Sequence, residues 1–477
     1  MRTDFNNTRK VGIKLDTKSA WEKYTAKDMK ASFSLSEDYR KFISECKTER
    51  ECVAKSVELA KAAGFKDLAG IIKAGKKVKA GDKVYAVNHD KNILLFVVGK
   101  KPVSEGMVML GAHIDSPRID LKQNPLWEDS LYTTHYAMMD THYYGGIKKY
   151  QWVTLPLAIH GVVCKKDGTT VCINIGDKPG DPVIGVSDLL VHLSGEQLDK
   201  KGAKVVEGEK LDILVGTIPL KGEEKKAVAA NIVKILKDEY GFEEEDLLSA
   251  ELEVVPAGEA RDYGLDRSMI MGYGQDDRVC AYTSLLAILE AKAENKTQVC
   301  ILVDKEEVGS IGATGMKSRF FENTVAELME AMGEYSDIAL RRALANSKLL
   351  SSDVSAAVDP NYGTVNELKN SAFLGRGIVF NKYTGSRGKY GCNDANPEFI
   401  AELRAIMEKG KVSIQTAELG KVDAGGGGTI AYIMARYGMQ VIDSGVPVLN
   451  MHAPWEITCK ADIYEAYKGY KAFLKNA

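Results

Sequence analysis

Asp304-Lys305-Glu306-Glu307-Val308-Gly309 places two adjacent carboxylates just beyond the apolar run Val299 to Val303. That run reads as a buried parallel strand, and Gly309, Gly312 and Gly315 turn the chain back over its end. The carboxyl ends of strands are where open α/β sheets keep their active sites. Two neighbouring carboxylates repel each other. The arrangement becomes favourable when one binds a cation and the other stays free to take a proton. An isolated Glu-Glu pair is more often a solvated loop, so the reading depends on other ligand-type residues closing other apolar runs.

Several do. Met107 to Leu110 leads into Gly111-Ala112-His113-Ile114-Asp115-Ser116-Pro117. An imidazole there can bind a metal through one nitrogen while a carboxylate fixes the proton on the other. A polar loop ended by Pro117 explains the same residues. Gly274-Gln275-Asp276-Asp277-Arg278 precedes a helix burying Val279, Tyr282, Leu285, Leu286 and Leu289. Capping accounts for one of the two aspartates and less easily for both. Lys348 to Ser352 ends in Asp353, and Val448 to Met451 ends in His452. Together His113, Asp276, Glu306, Glu307, Asp353 and His452 supply nitrogen and oxygen ligands without thiolate, which suits zinc, manganese or cobalt. Two metals roughly 3.5–4 Å apart, sharing a carboxylate and a water, make a hydrolytic site, with an uncoordinated carboxylate as general base.

The elements that must position these residues follow an α/β rhythm with a break. At 477 residues the chain exceeds one typical core. Ser34 to Gly64 reads as two helices, with an N-cap signal at Ser34-Leu35-Ser36-Glu37. Val84 to Val87 and Ile93 to Val98 are strand-length runs. From about Asp120 to Leu252 β-like runs dominate, including a hairpin turning at Asp167-Gly168 and a strand over Leu211 to Leu220, with one helix over Glu223 to Tyr240. Tyr143, Tyr144, Tyr150 and Trp152 form an aromatic cluster expected in a core or a subunit contact. His135, His142, His160 and His192 lack metal-binding spacing. Beyond residue 252 the α/β rhythm resumes, with helices over Asp394 to Lys409 and Ala461 to Lys475 and a strand over Gly377 to Phe380. Gly425-Gly426-Gly427-Gly428-Thr429 lacks the Gly-x-x-x-x-Gly-Lys pattern of a phosphate loop and reads as close backbone approach to a ligand. The expected fold is α/β. A catalytic domain with a central mixed sheet flanked by helices (1–119 and 253–477) is interrupted by a β-rich dimerisation or lid domain (120–252).

Bulk properties narrow the function. Hydrophobic content of 45% and charged content of 27% match a soluble globular protein, and a net charge of −2 gives no general pull towards nucleic acid or anionic membrane. No apolar run approaches the roughly 20 residues of a membrane span. Met1 to Trp21 is polar, without a signal-peptide core. The eight cysteines form no C-x-x-C pair, so reduced thiols in a cytoplasmic protein are expected.

In one order, Gly111 to Pro117, Asp276-Asp277-Arg278, Asp304 to Ser310, Ser352-Asp353 with Asp359-Pro360-Asn361-Tyr362, and Met451-His452 resemble the aspartyl aminopeptidase and vacuolar aminopeptidase I family of dinuclear zinc exopeptidases. The resemblance runs over nearly the whole chain. It implies that His113 and Asp353 bind one zinc, Glu307 and His452 the other, and that Asp276 bridges. It implies Glu306 as general base and Asp115 as the group orienting His113. It also implies two metals per subunit, peptide substrates and a tetrahedral dodecamer. The sequence departs from the eukaryotic aspartyl enzymes, which have histidines at the position of Asp359 and near that of Asp188, so acidic-residue specificity is not implied. Lys382, Arg387 and Lys389 could supply a cation or form a solvated basic loop. Two other readings stay open at this level: a dinuclear carboxypeptidase or N-acyl amino acid deacylase, and a non-catalytic assembly or cargo protein.

Overall fold

The computed structural model describes residues 18–129, 134–385 and 387–477, so most of the Met1 to Trp21 stretch lies outside the described residues. A nine-stranded mixed sheet runs Lys66–Asp67, Lys83–Asn88, Asn92–Val97, Thr297–Val303, Met107–His113, Lys348–Ser351, Gln440–Gly445, Ile378–Asn381, Ile414–Thr416. Four central strands, from Thr297–Val303 to Gln440–Gly445, are mutually parallel. Antiparallel neighbours bound them at Asn92–Val97 and Ile378–Asn381. Thr297–Val303 and Met107–His113 are buried along their whole length. That is why they read as unbroken apolar runs: helices cover both faces of the sheet.

The two faces take alternate residues. Leu110, Ala112, Cys300, Leu302, Leu350 and Ile442 pack on helices Ala26–Glu45, Glu49–Ala62, Gln275–Leu289, Pro397–Lys409 and Lys460–Asn476. Met109, Ile301, Val303, Leu349 and Val441 pack on helices Phe320–Met332, Asp337–Ala345 and Ala431–Ala435. Period-two alternation thus sets the layering. All four central strands consequently end on the same edge of the sheet.

Several boundaries differ from the sequence reading. The first helix starts at Ala26, not near Ser34. Thr25 and Asp28 form its capping box, and Glu37 pairs with Arg40 within the helix instead. The next helix is capped by Thr48 and Glu51. The helix expected from Glu223 begins at Ala227, because Lys226 is left-handed (φ 50°) and cannot extend it. The strand expected over Leu211 to Leu220 is confined to Ile213–Gly216. Pro397 starts the helix expected from Asp394, as a proline at the first position does. The aromatic cluster divides: Trp152 and Tyr144 are buried, whereas Tyr143 and Tyr150 are exposed.

Residues between Arg118 and Pro256 form a six-stranded antiparallel sheet, in the order Thr170–Ile175, Leu157–Cys164, Ala250–Pro256, Arg118–Glu128, Ala137–Tyr144, Ile213–Gly216. Asp167-Gly168 turns its outer hairpin. Helix Ala227–Tyr240 lays Val228, Ile232 and Leu236 into its core. At its root Arg118 is buried against Glu49 (3.3 Å), Glu253 (3.2 Å) and Asp120 (2.7 Å), so the strands that leave and return are held by the same cation. A third sheet joins Arg261–Tyr263, Met269–Gly272, Glu456–Cys459, Pro447–Leu449 and Ser355–Ala356. All eight cysteines are free thiols.

Candidate metal centre

Each candidate residue sits where an element ends. His113 is the last residue of Met107–His113. Glu306 and Glu307 open a short turn beyond Thr297–Val303. Asp353 follows Lys348–Ser351. Asp276 stands at the start of Gln275–Leu289, with extended backbone and a cis bond to Asp277. His452 lies in the turn between Pro447–Leu449 and Glu456–Cys459.

Folding brings them together. The Asp276 carboxylate lies between two imidazoles: Oδ1 is 3.1 Å from His113 Nε2 and Oδ2 is 3.2 Å from His452 Nε2. His452 Nε2 is also 3.5 Å from Glu307. The ligand atoms of His113, Asp276 and Asp353 lie within 4.8 Å of one another, as do those of Asp276, Glu307 and His452. Two groups able to hold a metal therefore share one carboxylate, and a third joins His113, Glu306 and Glu307. Glu306 lies 4.0 Å from His113 Nε2.

The charges are held in ways that a cation would relieve. Glu307 Oε1 is buried without a hydrogen-bond partner, an arrangement that costs free energy unless a ligand fills it. Burial pushes the carboxyls of Glu307 and Asp353 well above the carboxylate range, with Asp276 adding repulsion to Glu307 and Asp277 and Asp276 to Asp353. Burial pushes Glu306 up to about 7. Asp276 is held below its ordinary value, because hydrogen bonds from His113 and His452 outweigh burial. His452 is raised to about 10 against the effect of burial, chiefly by Asp276. These acids and imidazoles are the oxygen and nitrogen donors zinc takes.

Surrounding groups set the orientation. His113 Nδ1 is 3.0 Å from the Asp115 carbonyl oxygen, which directs Nε2 to the centre. The Asp115 carboxylate accepts the backbone N–H of Glu306 and of Glu307 (3.1 Å each) and the Tyr144 hydroxyl (2.7 Å). Asp115 thereby fixes the tandem glutamates as well as lying 3.3 Å from His113 Nδ1. His452 Nδ1 meets the Gly146 carbonyl oxygen at 3.0 Å. Asp304, first acid of the motif, is structural: it accepts the Thr314 hydroxyl at 2.6 Å. Asp359 caps its own turn by accepting the Asn361 N–H (2.8 Å), and Asp188 accepts from Gln197 (2.9 Å). A cavity of about 230 Å³ opens beside Asp276, Glu306, Asp353 and His452, bounded further on by Gly426, Gly427, Gly428 and Thr429.

Sequence reasoning missed Glu456. One oxygen accepts the Asp276 N–H (3.0 Å), the other the His452 N–H (2.8 Å). Its position four residues after His452 was the available signal. Glu456→Gln replaces one acceptor oxygen with an amide NH2, a donor facing an N–H. It is expected to weaken zinc binding about 10- to 100-fold, the usual cost of losing such support, as read by equilibrium dialysis.

Residues 42–474 match the family described as Aminopeptidase I zinc metalloprotease (M18). The chain belongs to the M18 family. This M18 member is 65% identical over 460 residues to a probable M18 family aminopeptidase 1 of Clostridium acetobutylicum, covering 96% of this chain and 98% of that relative. A crystal structure of an M18 aminopeptidase from Thermotoga maritima superposes with a TM-score of 0.92 at 45% identity, covering 97% and 100% of the two chains. The aminopeptidase I structure from C. acetobutylicum gives 0.89 at 64% identity, covering 96% and 99%. The yeast mApe1 dodecamer structure shares the fold at 20% identity, with a TM-score of 0.73 over 93% and 97%. The M18 member is thus a zinc-dependent metallo-exopeptidase that hydrolyses the N-terminal residue from peptides. No helix of the described residues is long and apolar enough to cross a membrane.

Proposed function

We propose that this aminopeptidase works with two metals per chain, His113 and Asp353 holding one, Glu307 and His452 the other, and Asp276 both. The observation that carries this reading is the Asp276 carboxylate, each oxygen of which faces a different imidazole. Zinc supplies Lewis acidity that lowers the pKa of water and polarises a carbonyl oxygen; cobalt or manganese suits the same donors.

The chain's own residues do the rest. Glu306 is the general base: it takes a proton from the attacking water as that oxygen bonds to the scissile carbonyl carbon. It then delivers the proton to the departing nitrogen as the C–N bond breaks, releasing an amino acid and a peptide shortened by one residue. Asp115 is the positioning residue, since its carboxylate holds the backbone of Glu306 and the carbonyl of the same residue faces His113. Segment 120–252 acts as a dimerisation or lid domain. Its reach into the centre through Gly146 and Tyr144 supports that role. Exposed Leu190, Val191, Leu193 and Leu198 lie in the same segment and support a contact between copies. The yeast relative's dodecamer suggests the assembly size, and a cytoplasmic site of action fits the free thiols.

Comparing amino-acid p-nitroanilides with N-acetylated amino acids tests the reaction. Hydrolysis of the anilides alone is expected; release of acetate from the N-acetylated amino acids instead would mean a deacylase.

Zinc binding is expected to strengthen with pH. The raised folded-state pKa of Glu306, about 7 against 4.5, favours its neutral form in the metal-free protein. That contribution to stability is complete below pH 4.5 and is lost as pH rises through 7. The raised pKa of His452 acts in the same sense between 6.5 and 10. Zinc must displace the proton of the ligand His452, and its charge disfavours the neutral form of the neighbouring Glu306, so its affinity is expected to climb about tenfold per pH unit for each proton released. The rise in Tm on adding zinc should therefore be larger at pH 7.5 than at pH 5.5.

A further inference from the structure

The cavity beside the metal ligands has a second end whose chemistry the hydrolytic step does not use. Apart from the proposed ligands and Glu306, its polar side chains among the described residues include Asn381, Thr384, Glu418, Thr429 and Asp443, and no Lys or Arg. The Asn381 amide is already engaged, accepting from the Ser355 hydroxyl (2.7 Å) and donating to the Ala417 carbonyl (3.0 Å). Asp443 is 2% exposed. Its Oδ1 accepts the Thr429 hydroxyl at 2.6 Å; its Oδ2 is buried without a well-formed hydrogen bond, the Ser351 hydroxyl being the other polar group beside the carboxylate. No cation contributes to its surroundings. A buried carboxylate in that condition lacks the counter-charge such groups ordinarily have. Glu418 accepts only the Tyr383 hydroxyl. Two basic side chains of the neighbouring loop are taken up elsewhere, Lys382 and Lys389 lying 3.6 and 2.9 Å from Asp394, and Arg387 is exposed and does not line the cavity. Val354, Ala356, Leu419 and Met451 supply apolar wall.

We propose that this cavity receives the side chain of the substrate's N-terminal residue and selects lysine or arginine while rejecting aspartate and glutamate. The inference rests on the aminopeptidase reading of the adjoining centre. The aliphatic stem of a lysine packs on the apolar wall, and its ammonium supplies the charge that Asp443 and Glu418 lack. An acidic side chain would meet two carboxylates of like sign.

The test uses the zinc-loaded full chain with p-nitroanilides of lysine, arginine, norleucine, aspartate and glutamate. Lysine and norleucine have the same length and differ in the terminal charge. In the wild type, kcat/KM for lysine is expected to exceed that for glutamate by about a hundredfold, as like-charge rejection inside a site allows. Glu418→Gln and Asp443→Asn are each expected to lower the lysine-to-norleucine ratio by about threefold to tenfold, zinc content confirming that each variant is folded. Glutamate turned over as well as norleucine, or a ratio unmoved in both variants, overturns the proposal and leaves the aminopeptidase reading standing. If no anilide is cleaved, that reading fails on its own. The pocket is then read by thermal shift with free lysine and free norleucine: a larger shift with lysine supports the proposal, and equal shifts overturn it.

Discussion

Glu306→Gln is expected to lower kcat by roughly a thousandfold while the protein keeps its zinc, within the range that a lost general base costs. The substitution keeps the shape of the side chain and removes its capacity to take a proton. Glu306 is the glutamate that belongs to neither of the two groups sharing Asp276, and its backbone is fixed from outside by Asp115. Glu307, with the same neighbour on the chain, should behave differently. Glu307→Gln removes an anionic ligand, so it should lose metal before it loses proton transfer. Stopped assays at saturating zinc, paired with metal analysis of the same samples, separate the two. Near-normal turnover by Glu306→Gln would mean that the base is another residue.

Asp276→Ala should bring activity below detection and leave at most one zinc per chain. Asp276 is 3% exposed and meets His113 and His452 through different oxygens. Truncation takes an oxygen donor from both ligand groups at once. It also leaves two imidazoles and the Glu307 carboxylate around an empty space, which costs free energy in itself. Alanine at His452 is expected to be milder, because His113, Asp276 and Asp353 remain as a set. The comparison is made by inductively coupled plasma analysis after dialysis against a fixed zinc concentration. Two zinc ions retained by Asp276→Ala would remove Asp276 from its bridging role.

How much could be read beforehand depends on how local each signal was. The strands ending at Val303 and His113 were legible because both faces of the sheet are covered, which leaves an unbroken apolar run in the chain. Helix starts were less legible. Ser34 to Glu37 and Thr25 to Asp28 carry the same type of capping signal, and only packing of the whole Ala26–Glu45 helix decides between them. The aromatic run at residues 143–152 divides for a related reason. Tyr144 and Trp152 turn inward and Tyr143 and Tyr150 outward, a division that residue type does not encode. Glu456 escaped notice because it uses both oxygens on backbone N–H groups, a role at which only its spacing from His452 hints.

By itself the sequence determined the chemistry on offer: two histidines and a set of acids, closing apolar runs or opening a helix, in an order characteristic of one enzyme family. Residue type and short-range spacing carry that information, because strand length and helix periodicity are local properties. Tertiary structure alone decided that Asp276 stands between His113 and His452, that Gly146 and Glu456 hold His452 in place, and that Asp443 lies uncompensated in the wall of the cavity. Most of those relations join residues far apart in the chain, and their distances follow from how the three sheets and the helix that carries Asp276 meet. No local periodicity contains them.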